Sequence, residues 1–512
     1  MAKRKYRSRL RKIFGRRLLI ALMILFQLVF LGVMLFHSYQ LYWVAALLTT
    51  LSVATALHLM MRPDKSAFKL SLVFLILLFP IFGGVFYWVF HFQTATVGFR
   101  KRLERLAQKQ RSEFSPSGDA LTRASEECTR DGKLLRYLQN VPVFPVYQNT
   151  QTRYFPSGRQ MLPALLDDLR AAKRYIFMEY FIIEEGVMWD SILEVLKEKA
   201  AQGVDVRVLY DDFGSILTLP PRYDKQLCAM GIKSIAFNRF HPFLTSLQNN
   251  RDHRKITVVD GRVAYTGGVN LADEYIDEKI RFGKWKDNAI RVCGEAAESF
   301  TVMFLQMWNI LSKTEEAVEA YLPTPQFSAV SDGWVQPYSD SPMDRENVGE
   351  QVYLHAFERT QKYLYITTPY LMVGDELMAA LKACARSGVD VRIITPCKPD
   401  KPMVHFTTRS YYRELIEAGV RIYEFTEGFI HAKTVISDGD FAVVGTVNLD
   451  FRSLYLHFEC GACMYGASTV QKIEEDFAQT LANCREIGES DCKTNLFVEL
   501  LQEICRVFAP LM

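Results

Sequence analysis

The sequence predicts an α/β protein of two internal repeats in a pseudo-twofold pair, each a mixed, mostly parallel sheet flanked by helices, preceded by N-terminal transmembrane helices. Three observations predict it. A strand–helix–strand grammar recurs in residues 133–330 and 331–512, the same His-Lys-Asp spacing occurs once in each repeat, and three long apolar runs precede residue 93.

The repeats are legible in their strands. Ala171-Ala-Lys-Arg-Tyr-Ile-Phe-Met-Glu-Tyr180 leads through a helical stretch to Gly203-Val-Asp-Val-Arg-Val-Leu209, and Arg359-Thr-Gln-Lys-Tyr-Leu-Tyr-Ile-Thr-Thr368 leads through another to Gly388-Val-Asp-Val-Arg-Ile-Ile394. Apolar, β-branched runs between amphipathic helices argue for strands covered on both faces, as parallel sheets are. Past Tyr465 the pattern reads as helices at Ser468 to Ala482 and Asn495 to Phe508, a packed C-terminal cap.

The N-terminal runs are Leu18 to Phe36, Leu41 to Met61 and Leu70 to Phe92, the last carrying Pro80, Gly83 and Gly84 and ending in an aromatic cluster suited to a membrane interface. Nine Lys or Arg residues precede them between Lys3 and Arg17, and a basic linker, 93–132, follows. A cleaved signal peptide does not explain three consecutive runs without a small-residue cleavage site. Three crossings would put the two basic segments on opposite sides of the bilayer. The positive-inside rule favours instead a hairpin of the first two runs turning at His37 to Gln40, with the third run interfacial or re-entrant and the folded region on the cytoplasmic face of a multi-pass anchor. A hydrophobic share of 49% excludes disorder, and a formal charge of +4 is too small to imply a polyanion partner. Ten cysteines lack paired spacing; Cys460 and Cys463, the one Cys-x-x-Cys, have no second pair to complete a zinc site and read as buried strand residues.

The chemistry lies in His253-Arg-Lys255-Ile-Thr-Val-Val-Asp260 with Gly267 and Asn270, and in His431-Ala-Lys433-Thr-Val-Ile-Ser-Asp438 with Gly445 and Asn448. From each His the offsets are +2, +7, +14 and +17. One chance match to His-x-Lys-x4-Asp is expected about 3% of the time from composition, and two with matching Gly and Asn far less. On a strand, positions i and i+2 share a face, so each His and Lys point together. A phosphodiester needs a nucleophile, an acid for the leaving alkoxide and fixed positive charge. Two copies supply all three without metal or cofactor: one His attacks, the other shuttles the proton, and Lys255 and Lys433 bind non-bridging oxygens with Asn270 and Asn448 as amide donors. An imidazole needs a partner at its other nitrogen, for which Glu459 in the second repeat and Glu274 in the first are candidates. Asp260 and Asp438 join the catalytic set by spacing, but each precedes a glycine and could instead close a hairpin turn.

These residues resemble the phospholipase D superfamily, and within it the bacterial cardiolipin synthases. Asn250 to Gly261 and Gly267 to Tyr275 look like that family's first motif block; Gly428 to Thr434, Gly445 to Ser453 and Phe458-Glu459 look like its second. The similarity runs from the apolar N-terminus to about Tyr465, with one departure, His457, where the family commonly has Asn. The resemblance implies transfer of a phosphatidyl group between two phosphatidylglycerol molecules, with His253 as nucleophile and glycerol released. Anionic phospholipid at the cell membrane, not nucleic acid, would then be the partner. A phospholipase D-type hydrolase or another phosphatidyltransferase, sharing every catalytic residue, remains the alternative, and the oligomeric state is left open.

Overall fold

The computed structural model describes residues 38–79, 98–105, 118–239, 249–322 and 330–512, with a few single positions before residue 90. The chain divides into two compact units: residues 1–98 with 240–249 and 507–512, and residues 99–239 with 250–506.

In the first unit the second apolar run forms helix α1 (Ser38–Met60), in which Tyr42–Met60 is a 19-residue stretch of mean hydropathy 1.6. At about 28 Å it is long enough to cross a hydrocarbon core. Helix α2 (Ser66–Leu78) has only 13 residues, about 20 Å, and stops at Phe79 (φ −124°, ψ 65°). The cause is Pro80, whose ring disfavours helical backbone in the residue before it. Of the three apolar runs, the described residues show one helix of spanning length. The first run lies outside the described residues except for Leu25 and Val29, and so does most of 80–92. Ser38 to Gln40, expected in a turn, form the first turn of α1. The two helices bury Ala56, Leu59 and Ile76 with Tyr87, Trp88 Nε1 donates to Thr55 Oγ1 at 3.0 Å, and Ser71 Oγ donates to the carbonyl of Val507 at 2.5 Å.

The second unit holds both repeats. The first contributes strands β1 (Thr150–Phe155), β2 (Tyr175–Tyr180), β3 (Asp205–Asp211), β4 (Lys233–Phe237), β5 (Arg251–Asp252), β6 (Lys255–Val259), β7 (Val263–Gly267), β8 (Lys284–Lys286) and β9 (Ala289–Gly294). The second contributes β10 (Trp334–Asp340), β11 (Tyr363–Thr367), β12 (Asp390–Pro396), β13 (Arg421–Phe425), β14 (Gly428–Ile430), β15 (Thr434–Ser437), β16 (Phe441–Gly445), β17 (His457–Tyr465) and β18 (Cys484–Ile487). The first sheet runs β1-β9-β7-β6-β2-β3-β4 and the second β10-β17-β16-β15-β11-β12-β13-β18, the same order with one strand added at the edge.

The sheets are mixed, not mostly parallel. Along these two strand orders, β2–β3, β3–β4, β11–β12 and β12–β13 run parallel and the other neighbours antiparallel. The parallel pairs are the ones that need crossovers, such as α3 (Val187–Ala201) between β2 and β3. Burial pattern reports coverage of both faces but not strand direction, and the antiparallel strands are covered too. Helix α4 (Ala297–Ser312) packs on the first sheet, and β16 approaches β7 and β9 where the sheets meet. The second repeat has matching helices in α5 (Asp375–Arg386), the β11–β12 crossover, and α6 (Ser468–Leu481). Both crossover helices end through a left-handed glycine, Gly203 (φ 88°) and Gly388 (φ 92°), which turns the chain into the next strand. Packing repeats as well: Phe304 stacks on Phe177 at 4.6 Å and Phe477 on Tyr365 at 4.7 Å, with Arg207 and Arg392 over the same two strand rings. Cys460 and Cys463 are buried in β17. Helix α7 (Leu496–Phe508) corrects the expected packed cap. It buries none of its own residues and leaves Leu496, Phe497 and Leu500 exposed, because its charged face is the docked one, through Arg413–Glu499 at 2.9 Å and Arg506–Glu414 at 2.6 Å.

Asp260 and Asp438 have the same task in the two repeats. Each stands at φ 53° before a glycine that is also left-handed, making the tight turn of the β6–β7 and β15–β16 hairpins. The Asp260 carboxylate accepts the N–H groups of Lys173, Arg174 and Tyr175 at 2.8–2.9 Å, and Asp438 accepts those of Gln361, Lys362 and Tyr363 at 2.8–3.1 Å. Burial disfavours the Asp438 charge, but these donors and Arg130 hold its carboxyl below the usual range. Seven residues of extended chain put each aspartate roughly 20 Å from its histidine, so neither joins the chemistry that its spacing suggested. Asp260→Ala is expected to cost about 2 kcal/mol and lower the melting temperature by several degrees, with Asp260→Asn costing less. A thermal scan of the purified protein reads both, and an unshifted melt for Asp260→Ala would remove the staple from the fold's stability.

Candidate active site

Both histidines stand at strand ends, and each is held by the other repeat. His253 lies between β5 and β6, and its N–H donates to the carbonyl of Phe458 at 3.0 Å, where β5 runs parallel to the start of β17. His431 lies between β14 and β15, and its N–H donates to the carbonyl of Lys286 at 2.7 Å, where β14 runs parallel to β8. In both cases the next residue along supplies the acid. His253 Nδ1 sits 2.9 and 3.0 Å from the Glu459 carboxylate oxygens, and His431 Nδ1 sits 2.7 Å from Asp287 Oδ2. Nδ1–H donation to a carboxylate leaves the opposite nitrogen, Nε2, bare in the neutral ring.

Glu459 therefore serves the first-repeat histidine and not, as expected, that of its own repeat. Asp287, which sequence reasoning missed, serves the second. Glu274 does not approach either ring; it is buried and takes an ion pair from Arg281 at 3.2 Å. Local adaptation completes the two acids differently. Thr446 Oγ1 donates to Glu459 Oε2, whereas at the corresponding place Gly268 leaves room for Asp287, whose Oδ1 would lie 1.9 Å from a Cβ there.

Lys255 and Lys433 are each 1% exposed and turn back to cap their own histidine's carbonyl, Lys255 Nζ at 2.5 Å from His253 O. Burial pushes the Lys255 ammonium down to about 8, against the pull of Glu459 and Asp287. Burial pushes Lys433 down to about 7, with Lys255 adding to the shift and Asp287 opposing it. Burial together with Lys255, Lys433, His431 and Lys401 holds His253 well below the usual imidazole range, and burial with Lys433 brings His431 down to about 4 despite Asp287. Asp287, though buried, is held below the usual carboxylate range by His431 and Lys433. The resting site thus holds an ionised Asp287, neutral imidazoles and two ammoniums close to losing their protons. Aromatic rings wall it: Phe181 meets His253 at 5.0 Å, and Trp285, Tyr275 and Phe429 meet His431 at 5.6–6.0 Å. Such a site can bind a phosphodiester anion, attack it with one Nε2 and relay a proton through the other.

A family model described as cardiolipin synthase, phospholipase D-like domain, matches residues 165–308 and 353–481, the two repeats. The chain is 32% identical to a cardiolipin synthase of Geobacillus thermodenitrificans over 497 residues, covering 95% of this chain and 98% of that one. It belongs to the cardiolipin synthase family.

Other relatives agree. Identity is 34% to cardiolipin synthase 2 of Bacillus cereus (86% of this chain, 87% of that one), and 41% to an uncharacterized protein of Streptococcus mutans serotype c (90% and 100%). Among solved structures, a phosphatidylserine synthase of Haemophilus influenzae Rd KW20 shares the fold with TM-score 0.54 at 18% identity, over 77% of this chain and 98% of that one. As a member of the cardiolipin synthase family the protein is a phosphatidyltransferase of the phospholipase D superfamily.

Within this site the two asparagines are partly committed to the framework. Asn270 Nδ2 donates to Tyr275 Oη at 2.7 Å while its Oδ1 accepts from Ile182 N at 3.1 Å, and Asn448 Nδ2 donates to Asp450 at 3.3 Å. His457, two residues before Glu459, places its ring 5.4 Å from that of His253. His253, His457 and Glu459 are also the one His/Asp/Glu/Cys group among the described residues whose donor atoms are close enough to share a cation.

Anion affinity should follow the two lysines. Tungstate, whose charge is constant through neutral pH, is expected to bind less tightly as pH rises through about 7 and then about 8, as Lys433 and then Lys255 lose the protons that hold it. Calorimetric titration on either side of that window checks this, and a flat profile would exclude the lysines from anion binding.

Proposed function

We propose that the chain transfers a phosphatidyl group from one phosphatidylglycerol to a hydroxyl of another, forming cardiolipin and releasing glycerol, through a phosphohistidine. One observation carries the reading: two buried imidazoles, each held at Nδ1 by a carboxylate of the opposite repeat, with Lys255 and Lys433 beside them, in a chain of the cardiolipin synthase family.

In the first half-reaction His253 Nε2 attacks phosphorus. The N–P bond forms, the P–O bond to glycerol breaks, and His431 gives its Nε2 proton to the departing alkoxide. In the second, His431 takes the proton of an incoming phosphatidylglycerol hydroxyl as the new P–O bond forms and the N–P bond breaks. The choice of His253 as nucleophile rests on the resemblance to the superfamily. His431 must be protonated when the donor is bound, although burial brings it to about 4 in the empty site. The anionic substrate supplies what burial removed: a negative charge against His431 and the two ammoniums favours the protonated forms of all three. Lys255 and Lys433 then hold the non-bridging oxygens, with the remaining amide N–H of Asn270 and Asn448 directed to the same atoms. The aromatic walls keep out water, which would otherwise intercept the phosphohistidine.

Phospholipid substrates put the reaction at a bilayer, and α1 supports a membrane anchor. We take that anchor to be multi-pass with the catalytic unit on the cytoplasmic face; the basic segments 1–17 and 100–111 support the sidedness.

Incubation of the detergent-solubilised protein with phosphatidylglycerol and a chelator is expected to yield cardiolipin and glycerol. His253→Ala and His431→Ala should each slow the reaction by at least about a thousandfold. Phosphatidic acid as the sole product would make the enzyme a hydrolase, and unchanged turnover in either variant would remove the two-histidine mechanism.

A further inference from the structure

The two halves of the site are nearly superposable in sequence logic, and where they differ is informative. In the first repeat, Trp285 stands two residues before the acid that holds His431; in the second, His457 stands two residues before the acid that holds His253. Trp285 covers its histidine with an indole whose N–H also lacks a hydrogen-bond partner among the described residues but can only donate, whereas a neutral His457 offers a nitrogen lone pair that can bind a cation. The His457 side chain is 10% exposed, and neither Nδ1 nor Nε2 has a hydrogen-bond partner among the described residues. A buried polar group without a partner costs on the order of 1–3 kcal/mol, so its presence calls for a ligand.

The geometry supplies one. Glu459 Oε1 lies 2.9 Å from His253 Nδ1 and 3.7 Å from His457 Nδ1, and one donor atom from each residue falls within 4.8 Å of the others. In a tetrahedral zinc site with bonds of about 2.0–2.1 Å, neighbouring ligand atoms are about 3.3 Å apart. The two measured separations bracket that value. Thr446 holds Glu459 Oε2, which leaves Oε1 as the shared vertex. Two imidazoles and one carboxylate form a borderline donor set that suits zinc and not magnesium or calcium.

We propose that His253, His457 and Glu459 form an inhibitory binding site for zinc or a similar borderline divalent cation. Metal at His253 Nδ1 displaces the proton donated to Glu459. In the neutral ring that proton moves to Nε2, so no net proton is released and the Nε2 lone pair is lost. A ring in that tautomer cannot attack phosphorus. Inhibition therefore rests on the proposed role of His253, while binding does not. Lys255 and Lys433 face the cluster and oppose a cation, so occupancy requires free zinc well above the level that a closed structural site needs, and the site acts as an inhibitor's seat and not as a resident cofactor's.

The test uses the full chain in detergent, stripped with chelator and then titrated with zinc by calorimetry and with cobalt by visible absorption. The wild type is expected to bind one ion, to show the intense d–d band of tetrahedral cobalt, and to lose phosphatidyl transfer in step with occupancy, with chelator restoring it. His457→Asn removes one of three ligands and is expected to raise the zinc concentration for half inhibition by on the order of 10–100-fold, abolish the cobalt band and keep basal transfer. Cobalt spectra of wild type and His457→Asn that match, or no zinc bound by the wild type, would overturn the proposal. If His457→Asn impairs transfer itself, the cobalt band still decides. Zinc binding in a protein that does not act on phosphatidylglycerol would leave the site standing and sink the functional reading, and transfer that is indifferent to bound zinc would sink the inhibitory role alone.

Discussion

The structure depends on an exchange between its halves. His253 is anchored by backbone and side chain to Phe458 and Glu459, and His431 to Lys286 and Asp287. Neither repeat contains a complete histidine–acid pair. A repeat folded alone would expose a bare imidazole at one strand end and an unpaired buried carboxylate at another, and an uncompensated buried charge is among the costliest defects a fold can carry. The short parallel pairings β5–β17 and β14–β8 are thus what makes the pseudo-twofold pair obligatory, and they place the two histidines beside each other.

From that exchange follows the electrostatic state of the site. Two imidazoles, two ammoniums and two carboxylates are buried within one layer. Asp287 keeps its charge because His431 and Lys433 stand beside it, while burial drives the bases toward neutrality. Such a site is under-compensated when empty. In the proposed function a phosphodiester anion would enter it, favouring the charged forms of Lys255 and Lys433 and the protonated form of one imidazole together. In the proposed mechanism, binding of the anion would also activate the proton donor.

Much of this was legible in the chain because duplication writes the same local rule twice. The His and Lys positions follow from a strand's two-residue period, and the identical offsets to Gly and Asn separate the motif from chance. The Asp at +7 shared those offsets for a structural reason, the left-handed turn before glycine, so repetition alone could not tell a staple from a catalyst. The acid partners were hidden for two reasons. They act across the pseudo-twofold, which no local pattern reports, and their own spacing differs: Asp287 follows Gly267 by 20 residues while Glu459 follows Gly445 by 14. Glu274 was a local guess for a long-range role. Strand direction was hidden because antiparallel strands buried between a helix layer and a second sheet are as uniformly apolar as parallel ones. In the anchor, hydropathy marked the runs, but Pro80 decided where α2 ends.

Departures from symmetry within so regular a duplication fall where the chemistry needs them. A double displacement requires one imidazole to be bare at Nε2 and the other to carry a proton there, and two identical environments could not favour that division over its reverse. The acids differ in length, Glu459 against Asp287; their supports differ, a donating Thr446 against the empty space at Gly268; and their neighbours differ, His457 against Trp285. The shorter acid sits closer to its histidine, 2.7 Å against 2.9 Å, and shares its charge with no second donor side chain on the same oxygen, whereas Glu459 divides its charge among His253, Thr446 and the nearby His457. A carboxylate whose charge is divided stabilises a protonated partner less. Within the proposed double displacement, this difference favours the proton on His431 and the bare nitrogen on His253, in keeping with the choice that the resemblance to the superfamily suggested.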